Sequence, residues 1–383
     1  MMELRKFVAP EFIFGVGAMQ LVGRYLSNFG ARKALIVTDQ GVIDSGWTGQ
    51  ILDLLSQEEI DAAVFSNISA NPRDTEVMAG ADFYHQEHCD VIVAIGGGSP
   101  MDCAKGIGIV STNRNNILDM EGIDNVSIPG PPLICIPTTA GTSADVSQFA
   151  IINNTEEKKK IAIISKTVVP DVALIDPQTT LTMSPYLTAC TGIDALVHAV
   201  EAYVSTANSP LLDLHALEAV RLVCTYLPKV LANPTDIELR GQMTMASLQA
   251  GLAFSNASLG AVHAMAHSLG GLLDLPHGEC NALLLDHVVN YNFPSASDRY
   301  MKIGKAMGLN IRHMSTHETK KAILTQISTL RQQVGIKKTL GQQGASLADI
   351  PTLARKALKD PCMVTNPRIP NQRDIEVIYE EAL

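Results

Sequence analysis

Short apolar runs punctuate the first half of the chain. Lys33 to Thr38 (KALIVT) ends at Asp39, and Asp61 to Phe65 forms a second run. Asp90 to Ile95 (DVIVAI) runs into glycines, Leu133 to Ile136 (LICI) stops at Pro137, and Val172 to Ile175 meets Asp176-Pro177. Runs this short, separated by helix-length segments such as Thr48 to Glu59 and Thr75 to Glu87, predict strands of a parallel sheet covered on both faces. Beyond about residue 184 the texture changes. Tyr186 to Val204, Leu211 to Leu227, Ile237 to Phe254 and Val262 to Leu273 carry apolar residues at helical spacing. The turn- and cap-rich stretch Asp176 to Pro185 marks the change. The expected fold is an α/β N-terminal domain over residues 1–183 and an all-α C-terminal domain over residues 184–383, with no internal repeat.

Composition narrows the class. The 383 residues exceed what one hydrophobic core usually serves, and 46% hydrophobic against 18% charged residues describes a well-buried globular protein. A net charge of -10 with no basic run argues against nucleic acid or an anionic membrane as partner. No segment approaches the roughly 20 apolar residues of a membrane span. The start, Met1 to Phe12, carries Glu3, Arg5, Lys6 and Glu11 and no apolar core, so no signal peptide is expected. Seven cysteines, an odd number without a CxxC pair, argue against a disulfide framework or a cysteine zinc site and suit a cytoplasmic location.

Two loops suit a phosphate-bearing ligand. Gly96-Gly97-Gly98-Ser99 follows a predicted strand and precedes a helix-like segment from Met101 to Ile109. Glycines there let backbone amides approach a pyrophosphate, although the GxGxxG fingerprint is absent and a plain strand-to-helix turn is the alternative. Pro137-Thr138-Thr139-Ala140-Gly141-Thr142-Ser143 offers hydroxyls at another strand's carboxyl end, where open parallel sheets bind ligands. Asp39 also ends a strand. Its carboxylate suits an adenosine ribose and repels a 2′-phosphate, favouring NAD over NADP; it equally suits a helix or turn cap.

Metal-binding residue types cluster in the second half. Asp194 and His198 stand at i and i+4 in an otherwise apolar helix, as do His263 and His267, and His277 lies on an expected loop, Pro276-His277-Gly278. Ionisable groups in apolar surroundings need partners. Asp194, His198, His263 and His277 offer one oxygen and three nitrogens, a set suited to Fe²⁺ or Zn²⁺. The plainer alternative is core histidines satisfied by backbone carbonyls. His85, His88, His313 and His317 sit among polar residues and are expected to be exposed; His215 and His287 suit structural places.

The ordered stretches Gly96 to Lys105, Pro137 to Thr142, Thr191 to Glu201, His263 to Gly271 and Pro276 to Gly278 closely resemble the iron-containing (group III) alcohol dehydrogenases, which include lactaldehyde reductase and 1,3-propanediol dehydrogenase. The likeness runs from Phe12-Ile13-Phe14-Gly15 to Asn366-Pro367-Arg368. It implies the dehydroquinate synthase-like architecture, in which the α/β domain binds a dinucleotide and the helical domain a metal. It implies that Asp194, His198, His263 and His277 hold the ion, with His267 an additional active-site histidine and not a ligand. Asp39, Asn71, Gly97, Gly98, Ser99, Asp102, Thr138, Thr139, Thr142 and Lys160 fall on cofactor positions. Phe254, Leu259 and Cys362 fall on positions lining the substrate pocket, and Phe149 stands where some diol-converting relatives carry a polar Asn.

The expected activity is reversible hydride transfer between a small primary alcohol or aldehyde and NAD(H), with Fe²⁺ or Zn²⁺ holding the alkoxide and His267 relaying the proton. A homodimer or larger homo-oligomer is expected. The alternatives are a polyol, glycerol or diol dehydrogenase of the same superfamily and a non-catalytic nucleotide-binding protein on this scaffold.

Overall fold

A computed structural model describes residues 6–383; of the charged start, Glu3 and Arg5 lie outside the described residues. The chain divides into two compact units, Val8–Met183 and Ser184–Leu383, with Phe7 grouped with the second.

The first unit runs β1 (Glu11–Phe14), α1 (Val22–Asn28), β2 (Lys33–Val37), α2 (Gln40–Asp44), α3 (Trp47–Gln57), β3 (Asp61–Phe65), α4 (Asp74–Gln86), β4 (Val91–Gly96) and α5 (Gly98–Asn113). It continues with β5 (Gly122–Ile123), β6 (Leu133–Pro137), β7 (Phe149–Asn154), β8 (Lys159–Ile164) and β9 (Val172–Ile175). Six parallel strands pair in the order β1-β9-β6-β4-β2-β3. Alternation along the strands feeds two cores. Leu35, Val37, Ile92 and Ala94 pack with Val77, Ala81 and Ile107 of α4 and α5 on one face. Ala34, Ile36, Val91 and Val93 pack with Val22, Leu26, Ile51 and Leu55 of α1 and α3 on the other. The central strands therefore read as unbroken apolar runs in the sequence.

A second sheet, β5-β8-β7, adds to the expected one. β7 and β8 form an antiparallel hairpin, Phe149 opposite Ile164 and Asn154 opposite Lys159. The polar run NNTEEKKK hides it. Asn154 Oδ1 accepts the Glu156 and Glu157 amides at 3.1 and 3.0 Å, and Lys158 takes φ 49°, so side-chain capping and a left-handed residue make the turn without Gly or Pro at its centre. Lys105 of α5, fully buried, donates from Nζ to Ser147 O at 2.8 Å and Phe149 O at 2.7 Å, tying that helix to the chain entering β7.

The second unit holds α6 (Pro185–Val204), α7 (Pro210–Ala232), α8 (Ile237–Ala257), α9 (Ala261–Leu273), α10 (His277–Asn292), α11 (Ser297–Ala306), α12 (Thr316–Gln333), α13 (Ile350–Ala357) and α14 (Gln372–Ala382). It contains no strand among the described residues. Ser184 caps α6 by accepting the Leu187 amide, with Pro185 at its first position. His277, expected on a loop, instead opens α10. Pro-His-Gly reads as a turn, but Gly278 is helical, and a Cβ there would stand 2.3 Å from Cys190 O. The glycine permits close approach of α10 to α6.

Candidate active site

In the helical unit, α6, α9 and α10 bring their ionisable residues together. Asp194 Oδ1 lies 3.8 Å from His263 Nε2, 3.8 Å from His277 Nε2 and 4.0 Å from His198 Nε2. One donor atom each from Asp194, His263 and His277 falls within 4.8 Å of the others; His198 lies outside that tightest group. Asp194 and His263 are 1% exposed and His198 4%, while His277 keeps a quarter of its side chain accessible. His198 stacks on Phe254 and on His263, at centroid distances of 4.2 and 4.6 Å. Burial, reinforced by His198, pushes His263 well below the ordinary imidazole value, so it is neutral and offers a lone pair.

The donor types suit a divalent ion, and each imidazole lies within shared-ligand reach of Asp194 Oδ1, with His198 standing outside the tightest group. Bonds of ~2.0–2.2 Å place two ligands of one ion at most ~4.4 Å apart, and all three separations from Asp194 Oδ1 meet that bound. Neutral imidazoles with a carboxylate suit Fe²⁺ and Zn²⁺ alike.

Two surrounding residues carried no role in the sequence reading. Glu201 Oε2 faces His263 Nδ1 at 2.6 Å, and its Oε1 accepts the Val262 amide at 2.6 Å. Burial pushes Glu201 up to about 7, against backbone amides of Val262, Gly260 and His263 that favour the charged form. Asn281 Nδ2 donates to Asp194 Oδ1 at 2.6 Å and lies 3.2 Å from the Nε2 atoms of His263 and His277. Both were legible in principle: Glu201 is seven residues after Asp194, and Asn281 four after His277, each on its ligand's side of the helix. Asn366, from the closing Asn-Pro-Arg stretch, accepts the Ala261 amide at 3.1 Å and so caps α9.

His267 sits one turn beyond His263 and stacks on His277 at 5.2 Å. Its Nδ1 contacts Asp360 Oδ2 at 2.8 Å. Burial opposes ionisation of Asp360, but His267 and the Cys362 amide outweigh it and hold the carboxyl below its usual range. Cys362 shares this corner, and burial with Asp360 drives its thiol well above its ordinary value, so it is a protonated, apolar neighbour.

In the α/β unit, the cofactor candidates gather at the carboxyl ends of neighbouring strands. Gly96 of β4 is paired with Pro137 of β6, and the Thr138 amide donates to Gly96 O at 2.8 Å. The two loops then pack together: a Cβ on Gly97 would lie 3.2 Å from Thr139, and one on Gly98 3.1 Å from Thr142. A side chain at either glycine would require the facing threonine to give way. Gly97 precedes the first turn of α5 and offers no capping side chain, which suits amides to a phosphate. Ser99 Oγ donates to Ala70 O at 2.5 Å, next to Asn71 in sequence. Asp39 lies beyond β2, next to β4 in the sheet, and its Oδ1 accepts the Val42 amide at 3.0 Å as the cap of α2. Asp102 is one turn into α5, and Lys160 is half-buried on β8 opposite Asn153.

Residues 9–177 match the family described as iron-containing alcohol dehydrogenase, and residues 188–383 match the C-terminal domain of the Fe-containing alcohol dehydrogenase family. The chain is 41% identical to a 1,3-propanediol dehydrogenase of Klebsiella pneumoniae over 96% of both chains. It is 37% identical to an NAD-dependent methanol dehydrogenase of Bacillus methanolicus, over 98% of this chain and 99% of that one. The chain belongs to the iron-containing alcohol dehydrogenase family. Its structure superposes on a crystal structure of a 1,3-propanediol oxidoreductase with a TM-score of 0.97, at 40% identity and full coverage of both.

For this alcohol dehydrogenase, family membership brings NAD(H) and a metal ion as cofactors and small alcohols and aldehydes as substrates. Of the expected pocket residues, Phe254 is buried against His198, Cys362 is buried beside Asp360, and Leu259 is buried with its carbonyl held by Thr365 Oγ1 at 2.6 Å. Phe149 belongs to the other unit, is 6% exposed and opens β7. Among the described residues, no helix is long and apolar enough to cross a membrane.

Proposed function

We propose that this dehydrogenase interconverts small, weakly polar primary alcohols and their aldehydes, prefers NAD(H), works in the cytoplasm and uses Fe²⁺ held by Asp194, His198, His263 and His277. The observation carrying this reading is the meeting of one carboxylate oxygen with imidazole nitrogens on three helices, His263 among them kept neutral by burial. When bound, the cation supplies Lewis acidity to the substrate oxygen, and the nicotinamide accepts or returns hydride. The protein's part is orientation and proton handling. Asp360 accepts the Nδ1 proton of His267, which leaves Nε2 as the nitrogen that takes the alcohol's proton or gives it back. The apolar ring of Phe254, stacked on His198, offers no donor to a second hydroxyl. A diol is the second reading, favoured by likeness to 1,3-propanediol dehydrogenase.

Anaerobic purification with metal analysis, then a panel of primary alcohols, diols and aldehydes with NADH and NADPH, tests this proposal. Simple primary alcohols are expected to give the higher kcat/KM; a clear preference for 1,3-diols supports the second reading. His263→Ala is expected to lose metal and at least about a hundredfold in rate. His267→Ala is expected to keep its metal and still lose rate. Full activity in metal-free His263→Ala protein would refute the metal site.

A further inference from the structure

Glu201 has the geometry of a group that decides which nitrogen of His263 carries a proton. It lies on α6, three residues after His198, and is 3% exposed. Its two oxygens divide their work. Oε1 accepts the Val262 amide at 2.6 Å, and Oε2 meets His263 Nδ1 at 2.6 Å and the His263 backbone amide at 3.4 Å. Gly260, at the N-cap of α9, has no side chain to satisfy those amides, so a carboxylate reaching from α6 caps α9. Each oxygen accepts a backbone amide, an arrangement that favours the ionised carboxylate, and in that form the group is an acceptor only.

We infer that Glu201 is a positioning residue that locks His263 in the Nδ1–H tautomer and thereby turns the Nε2 lone pair toward Asp194. The ionised carboxylate opposite Nδ1 is acceptor-only and obliges that atom to be the donor. The ring's single hydrogen is then on Nδ1, and Nε2, 3.8 Å from Asp194 Oδ1, is unprotonated. Because Glu201 shares a helix with Asp194 and His198 and caps the helix of His263, the same carboxylate also fixes the setting of α9 against α6. The inference rests on the proposed role of His263 as a ligand.

Glu201→Gln separates the two duties. The carboxamide is nearly isosteric, and its oxygen can still accept the Val262 amide. Its NH₂, however, would face Nδ1 as a donor, so Nδ1 must accept and the ring hydrogen moves to Nε2, where it blocks a ligand lone pair. Zinc(II) affinity of chelator-stripped protein is expected to fall about 10–100-fold in Glu201→Gln, measured by competition with a chromophoric chelator. The melting temperature of the stripped protein should stay near that of wild type. Glu201→Ala, which loses cap and orientation together, should lower both. Wild-type zinc affinity in Glu201→Gln overturns the inference. If that variant does not fold, ¹⁵N-histidine spectra of stripped wild-type protein decide instead, with the His263 signal identified by its loss in His263→Ala. A proton on Nδ1 supports the inference, and a proton on Nε2 overturns it. His263→Ala keeping full zinc affinity refutes the ligand assignment itself; loss there with wild-type affinity in Glu201→Gln refutes only the role of Glu201.

Discussion

Asp39 accepts the Val42 amide at the start of α2 and stands beyond the carboxyl end of β2, beside the glycine loop's strand. The two readings open in the sequence, cap and ribose acceptor, do not compete, because a carboxylate has two oxygens and Oδ1 alone serves the cap. The cap is seen; the ribose contact is a proposal with a clean test. Glycine is a tolerated N-cap, costing only a few tenths of a kcal/mol, so Asp39→Gly removes charge with little harm to α2. The substitution is expected to shift the NADPH-to-NADH ratio of kcat/KM by about 1–3 kcal/mol toward NADPH, the scale of a removed like-charge contact. Wild-type enzyme that already prefers NADPH would refute the assignment. At this scale the sequence shows which side chains are chemically able to act. It does not show their partners: nothing local links His267 to Asp360, 93 positions away, or His263 to Glu201, 62 positions away.

Helix crossings carry the site from residue to element. Gly278 is where α10 passes α6, and its missing Cβ would meet the Cys190 carbonyl, which is backbone and cannot swing aside. Gly278→Ala should force the two helices apart and displace His277 from Asp194. The expected result is a loss of about 1–3 kcal/mol in stability, as for overpacked cores, together with weaker zinc retention under a chelator. Unchanged retention would mean that the ligand geometry does not depend on this crossing. Element type was legible wherever burial imposed a period. β2, β3, β6, β9 and the four long helices from α6 to α9 lie where the apolar pattern places them, within a few residues at their ends. The β7–β8 hairpin was not legible, because its turn is built from Asn154 and a left-handed Lys158 inside a charged run. His277 read as a loop residue because Pro and Gly flank it; in α10 they mark a helix start and a close crossing.

On the scale of the whole molecule, the proposed metal ligands all lie in the helical unit and the main cofactor candidates in the α/β unit. Metal removal should therefore act unequally. A ligand present at 100 times its Kd stabilises by ~2.7 kcal/mol, worth ~5–10 °C for a unit of this size. Stripping with a chelator is expected to lower the melting of the helical unit by that amount, read by calorimetry, while NADH binding, read by fluorescence titration, changes little. Equal loss of both would refute a metal site confined to the helical unit. The sequence by itself determined the class of chain: a two-texture pattern, a parallel sheet followed by helices, two glycine- and threonine-bearing strand ends, and histidines and an aspartate at helical spacing. Those features are set by local periodicity and side-chain chemistry, which are written along the chain. Tertiary structure decided what depends on distance between remote segments. It placed Asp194, His263 and His277 within reach of one ion, set Glu201 and Asn281 behind them, and packed Thr139 and Thr142 against Gly97 and Gly98. Each is a contact between helices or loops far apart in the chain, fixed by how buried faces fit together, and burial is a property of the folded chain.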